Sequence, residues 1–193
     1  KSKTEKKNYV ETYVIHCATK EIMKQKGFEF KYDFSSTSEK EKYQEEYDKM
    51  YAECKRTLYS AGYHIYTSID PDVQKQLQSS VDNALSGYTE KDKNGIYKIQ
   101  ASGTCIDNDT GKVVAIVGGR EQKNIGYTLN RAFQSPRQPG SAIKPLLVYA
   151  PALEHGWSAG STVNDSPMST KDKHRVRNSH GSYSGQISLR RAV

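Results

Sequence analysis

The stretch Val113-Val114-Ala115-Ile116-Val117 constrains the fold more than any other part of the chain. It is apolar on both faces, so as a strand it belongs inside a sheet that is covered on both sides. The cluster Asn108-Asp109-Thr110-Gly111 just before it consists of turn formers. Residues 99–107 and 112–118 are therefore predicted to pair as an antiparallel hairpin, with a loop at Gly118 and Gly119 leading on.

Upstream, Val10, Val14, Cys17, Ala18 and Ile22 share one face of a predicted helix over residues 9–25, which Gly27 ends. Phe28, Phe30, Tyr32 and Phe34 then alternate with charged or polar residues, the pattern of a short strand. Ser35 to Ser38 offers caps for a second helix running to about Ser60. Its apolar stripe is Tyr43, Tyr47, Met50, Tyr51, Cys54 and Leu58, and Ala61-Gly62 closes it. This first third reads as an α-rich pedestal without chemistry of its own. Residues 63–69 read as a strand. Asp70-Pro71 supplies an N-cap and a proline at the first helical position, and Val73, Leu77, Val81 and Leu85 give the helix that follows a buried stripe.

At 193 residues the chain holds one domain or one and a half, taking about 150 residues per domain. Apolar residues make up 35%, low for a globular chain yet above the disordered range. No apolar run approaches the roughly 18 residues of a membrane span, and no signal pattern is visible. Lys1 is not a natural start, and the chain stops after the helix-like run Leu189-Arg190-Arg191-Ala192, so a piece of a longer protein is expected. The formal charge of +7 suits work beside an anionic envelope. The densest basic stretch, residues 171–177, is flanked by Ser, Thr, Asn and Gly rather than stacking aromatics, which points to a solvated loop and not to nucleic acid. Cys17, Cys54 and Cys105 form no Cys-x-x-Cys pair and are expected as small buried apolar side chains, a Cys17–Cys54 bridge being the alternative. His155, His174 and His180 lack metal-ligand spacing and are placed on surface loops, so no metal site is expected.

The chemistry lies in Ser141-Ala142-Ile143-Lys144, a Ser-x-x-Lys motif. If Ser141 opens a helix, Lys144 sits one turn on, on the same face, and can reach the serine oxygen. A lysine there accepts the serine's proton when partial burial or nearby positive charge lowers its pKa. The bare motif is weak, because a capping serine followed by an exposed lysine has the same spelling. Its frame is more specific. Arg137-Gln138-Pro139-Gly140 before the serine and Pro145 after the lysine resemble the active-site region of the penicillin-binding proteins, for which Ser-x-x-Lys is a known signature. Asn130-Arg131-Ala132 and residues 149–156 fit the same family. Residues 66–74 resemble the start of the transpeptidase domain in its bifunctional, class A branch. Residues 110–119 resemble that domain's first hairpin, and residues 178–190 the segment that leads to its second motif.

The resemblance implies an α+β fold of the penicillin-binding transpeptidase and serine β-lactamase type, an antiparallel sheet with helices on both sides, incomplete here and preceded by a helical linker. Residues 1–61 would connect a glycosyltransferase domain to the transpeptidase, and residues 62–193 would be the N-terminal part of the latter. Ser141 would attack the carbonyl of a D-Ala-D-Ala stem peptide and Lys144 would accept its proton. The Ser141 N–H would donate to the oxyanion, and Gly140, Pro139, Gln138 and Arg137 would frame the site. Implied partners are peptidoglycan stem peptides, β-lactam antibiotics and the cell-wall synthesis machinery, with no cofactor. The parent would face outward from the bacterial plasma membrane on an N-terminal transmembrane helix.

Two family motifs, Ser-x-Asn and Lys-Thr-Gly or Lys-Ser-Gly, do not occur in these 193 residues. Ser-x-Asn is expected just beyond Val193, so the chain by itself is expected to be inactive. Ile143 stands where the family often has Phe or Met, a change of packing more than of chemistry. The Gly- and Ser-rich residues 156–186 are expected as long loops over the active-site side. Rival readings are a carboxypeptidase or β-lactamase-like hydrolase, in which water resolves the acyl-enzyme, and a non-catalytic penicillin-sensing or wall-binding module.

Overall fold

The computed structural model describes residues 7–121, 129–169, 171–172 and 175–193. It divides between Pro136 and Arg137 into two compact units. No helix among the described residues is long and apolar enough to cross a membrane.

The first unit is built on two helices, α1 (Tyr9–Gln25) and α2 (Thr37–Ser60). Asn8 starts α1 with a capping box: its side chain accepts from the Glu11 N–H at 2.8 Å, and the Glu11 carboxylate accepts from the Asn8 N–H at 2.6 Å. Ile22 and Met23 of α1 meet Cys54 and Leu58 of α2 in a buried core, with Tyr47, Met50 and Tyr51 packed around it. The stripe expected on α2 therefore faces the core, whereas on α1 the buried face is turned toward Thr19, Ile22 and Met23. Cys17 is left exposed, contrary to expectation, and all three cysteines are free thiols, so the alternative of a Cys17–Cys54 bridge fails.

Residues 28–34 pair with no strand among the described residues. Their alternation serves packing instead: Phe28 meets Tyr43 and Tyr47 of α2, and Phe34 meets Tyr43, at ring separations of 5.2–5.9 Å. A second cluster joins α1 to α4 (Arg131–Gln134), where the His16 ring stacks on Phe133 at 4.8 Å and its Nδ1 lies 3.2 Å from the Tyr51 hydroxyl. Burial, then the nearby Lys20, push the His16 pKa below its ordinary value of 6.5. The unfolded chain thus holds the extra proton in that window. Stability is expected to fall as pH drops from 6.5 through the folded-state pKa, and to be level above 6.5. NMR titration of the His16 ring checks this; an apparent pKa at or above 6.5 would refute it.

The hairpin forms as expected, with shorter strands: β1 (Gly103–Ile106) pairs antiparallel with β2 (Val113–Val117), Cys105 opposite Ala115. In its turn the Asp107 carboxylate accepts from the Thr110 hydroxyl at 2.6 Å, and Gly111 takes the left-handed φ of 70°. Ala115, Ile116 and Val117 are buried, yet β2 has only β1 beside it among the described residues. Its outer edge is closed by other means. The Asp70 N–H donates to the Val114 carbonyl at 2.8 Å, and the Gln74 side chain makes a paired bond to Ile116, donating to its carbonyl at 2.9 Å and accepting from its N–H at 2.8 Å. Gln74 belongs to α3 (Pro71–Ala84), which Asp70 caps and whose stripe Val73, Leu77 and Val81 is half-buried rather than buried. Residues 63–69, expected as a strand, pair with no strand among the described residues, and Tyr66 stands 94% exposed.

Gly118 and Gly119 follow β2 at a tight crossing. The wholly buried Asn130 donates from Nδ2 to the Tyr9 carbonyl at 3.1 Å and accepts from the Ala132 N–H at 3.2 Å, while the Arg131 N–H donates to the Gly118 carbonyl at 3.0 Å. The buried Asn130 side chain thus ties the start of α1 to the start of α4, and the Arg131 N–H beside it ties α4 to the residue after β2.

The second unit opens with a 3₁₀ turn (Gly140–Ile143), a π turn (Pro145–Tyr149) and α5 (Ala150–Glu154). Pro145 and Pro151 have no N–H to give, and between them the Ala150 N–H reaches back five residues to the Pro145 carbonyl. Beyond α5, residues 156–186 are not only loops. They contain β3 (Thr162–Asp165), β4 (Met168–Ser169) and β5 (Arg175–Val176), with β6 (Gly185–Ser188) and α6 (Leu189–Ala192) closing the chain. β3 pairs with β6 and β4 with β5, both antiparallel. Alternation across glycines and serines is too faint to read as strands. The basic stretch is thus partly strand, exposed at Arg175 and Val176, and His174 lies outside the described residues. Helices with antiparallel strand pairs make the fold α+β.

Candidate active site

Ser141 owes its place to the residues before it. Pro139 fixes its own φ at −70°, and Gly140 turns the chain with a left-handed φ of 54°. The helix expected at Ser141 is therefore a tighter 3₁₀ turn, closed by the Lys144 N–H donating to the Ser141 carbonyl. In such a turn residues three apart eclipse, so Ser141 and Lys144 project on one side. As the second residue of the turn, Ser141 keeps its backbone N–H outside the turn's own hydrogen bonds. Arg137, Gln138, Pro139 and Gly140 form the exposed approach to the turn and do not line the cavity that follows.

Ser141 and Lys144 line a groove of about 830 Å³. Both are exposed, and no hydrogen bond joins their side chains among the described residues. The facing walls come from β3 with Val163, Asn164 and Asp165, from Arg177, Asn178 and His180 ahead of β6, and from Arg191 of α6. Sequence reasoning had not placed these walls; the one usable signal was Asp165-Ser166-Pro167, a turn opener at the end of a short strand. The Asp165 carboxylate accepts from the Asn178 amide at 2.7 Å and from the Ser184 N–H at 2.8 Å. The Asn178 bond foremost, then Ser184, hold its pKa below the usual carboxylate value. No group of His, Cys, Asp and Glu among the described residues could hold a metal ion. The arrangement places a hydroxyl and an amine, three residues apart, beside one open groove, the groups that serine acyl transfer draws on.

Residues 101–193 match the family model of the penicillin binding protein transpeptidase domain. A penicillin-binding protein 1A of Clostridium perfringens is 41% identical over 164 residues, covering 78% of this chain and 23% of the relative. The fold is similar to that of the PonA1 protein from Mycobacterium tuberculosis in complex with penicillin V, with a TM-score of 0.60 at 21% identity over 96% of this chain and 39% of that one. A second PonA1 structure from the same organism is 27% identical with a TM-score of 0.53, over 70% of this chain and 32% of the other. The chain belongs to the class A penicillin-binding proteins, with residues 101–193 part of a transpeptidase domain. It spans under a quarter of the length of the curated relatives it matches.

Proposed function

We propose that Ser141 is the nucleophile of a peptidoglycan DD-transpeptidase, with Lys144 as its base. The placement of both side chains on one 3₁₀ turn beside one groove carries this reading. Lys144 takes the hydroxyl proton as Ser141 Oγ attacks the carbonyl of the D-Ala-D-Ala bond. The Ser141 N–H donates to the oxyanion. On collapse the C–N bond breaks, and Lys144 returns the proton to the departing D-alanine. The amine of a neighbouring stem peptide then attacks the acyl-enzyme, gives up its proton and frees Ser141, leaving a cross-link. A β-lactam follows the first half of this path, but its opened ring stays tethered and blocks the second.

Residues 1–61 connect to a glycosyltransferase domain in this reading, and residues 62–193 begin the transpeptidase domain. The whole protein is held by an N-terminal transmembrane helix at the outer face of the bacterial plasma membrane, beside the cell-wall synthesis machinery. Ser141 and Lys144 are both exposed, and neither Ser-x-Asn nor Lys-Thr-Gly occurs in these 193 residues to close the groove over them, so in this reading the 193-residue chain alone is inactive. The test is incubation with a pentapeptide stem ending in D-Ala-D-Ala. The full-length protein is expected to release D-alanine in step with dimer formation, and the 193-residue chain to release none. Release without dimers would make the protein a hydrolase; cross-linking by the short chain would refute the need for further walls.

A further inference from the structure

The groove beside Ser141 is shaped by a contact that the mechanism above does not use. Asp165 is the last residue of β3, and its backbone sits opposite Gly185, the first residue of β6. Between these two the chain travels out through β4 and β5 and returns by residues 177–184, which lie beyond the ladder. Both carboxylate oxygens of Asp165 are spent on that return: Oδ1 accepts from Asn178 Nδ2 at 2.7 Å and Oδ2 from the Ser184 N–H at 2.8 Å. The same Asn178 amide donates to the Ser182 carbonyl at 3.0 Å, and the Gly181 N–H donates to the Asn178 carbonyl at 3.0 Å. Gly181 takes a φ of 74°, the left-handed turn that lets residues 178–182 fold back on themselves.

Asp165, Asn178 and Ser184 all line the groove with Ser141 and Lys144. Other bonds of the loop run from the Tyr183 hydroxyl to the Val176 carbonyl at 3.2 Å, between the His180 ring and the Ser182 hydroxyl at 2.8 Å, and from the Ser182 N–H to His180 Nδ1 at 3.4 Å. None of these reaches β3. Bonds to an ionised carboxylate are about twice as strong as neutral ones, so the clamp at Asp165 dominates the position of this wall.

We infer that Asp165, through Asn178 and Ser184, is a positioning residue that sets the wall facing Ser141 and so determines how tightly the groove holds an acyl donor before attack. This rests on Ser141 being the nucleophile. Asp165 touches neither the nucleophile nor the base in this arrangement; it acts through the loop. Asp165→Asn is the sharp variant. It keeps the shape and the acceptor for Ser184, but turns an NH₂ toward the Asn178 amide, so two donors face each other. Reversing Asn178 does not repair this, because its oxygen would then face the Ser182 carbonyl.

The experiment measures penicillin acylation of the full-length protein over a range of drug concentrations, for the unsubstituted protein, Asp165→Asn, Asn178→Ala and the double variant. The loss of one charge-assisted bond is expected to raise the half-saturating concentration about tenfold in each single variant. The limiting rate should stay within about twofold and the final stoichiometry at one drug per chain, since the chemistry at Ser141 is untouched. The double variant should be no worse than the singles, because both cut the same link. An unchanged half-saturating concentration in Asp165→Asn, additive effects in the double variant, or a fall in stoichiometry alone would overturn the positioning role. If the unsubstituted protein takes up no drug at all, the nucleophile reading fails and this one with it, an outcome distinct from the others.

Discussion

Gly118→Ala is expected to destabilise the chain by about 4 kcal/mol, the largest effect among the described glycines. A Cβ built at this position lies 2.5 Å from Cγ of Asn130 and 2.6 Å from Cδ1 of Tyr9. Real Cβ atoms do not approach so closely, and neither neighbour is a loose end. Asn130 is wholly buried and bonded on both sides of its amide, and Tyr9 is 5% exposed. Overpacking of this kind costs about 1–3 kcal/mol. Pushing the Asn130 amide away also strands a buried donor, which costs about 1–3 kcal/mol more. Against the roughly 5–15 kcal/mol that holds a domain together, the sum is a large share. Gly87 is the control: nothing lies within 4 Å of its Cβ position and it has no left-handed φ, so Gly87→Ala should change stability by less than about 0.5 kcal/mol. Urea unfolding of both variants checks the pair. Equal midpoints would mean that the crossing of Gly118, Asn130 and Tyr9 is not packed as described.

The second large effect is chemical. In the full-length protein, Lys144→Ala is expected to slow penicillin acylation by about 10³-fold, the middle of the range for a positioned general base. Lys144→Arg should not restore it. A guanidinium keeps the positive charge but has no acceptor and does not deprotonate in proteins, so it cannot take the Ser141 proton. The pair separates the two services a lysine could render. If charge near the groove were all that mattered, arginine would recover most of the rate, and the assignment of Lys144 as base would fall.

Legibility in the sequence followed how local each signal is. Ser36 and Asp70 cap their helices through bonds reaching only two or three residues, and α1 shows its apolar spacing within a few turns, so α1, α2 and α3 could be read within a residue or two. The hairpin at residues 103–117 was equally plain, because its turn chemistry sits inside it. What failed was the step from extended pattern to strand. Phe28 and Phe30 alternate as in a sheet, but their partners are the tyrosines of α2, and alternation alone does not say what faces the backbone. Gln74 shows the reverse. It closes the edge of β2 as a strand would, and nothing in its spacing announced this.

At the site, Ser141 and Lys144 were visible because they lie in one turn with distinctive neighbours. Asp165 and Asn178 were not, because thirteen residues separate them and their bond depends on the pairing of β3 with β6. The same distinction explains Cys17. Its helical face was found, but the rotation of that face against α2 is fixed by Met23 and Cys54, which only the packed structure brings together.

The measurement that bears most directly on Ser141 is the intact mass of the full-length protein after brief incubation with a penicillin, beside the Ser141→Ala variant, with the adduct located by peptide mapping. The expected result is a gain of one drug molecule, carried by the peptide that contains Ser141 and absent from the variant. An adduct that persists in Ser141→Ala, or that maps to another residue, would contradict the assignment of Ser141 as the nucleophile.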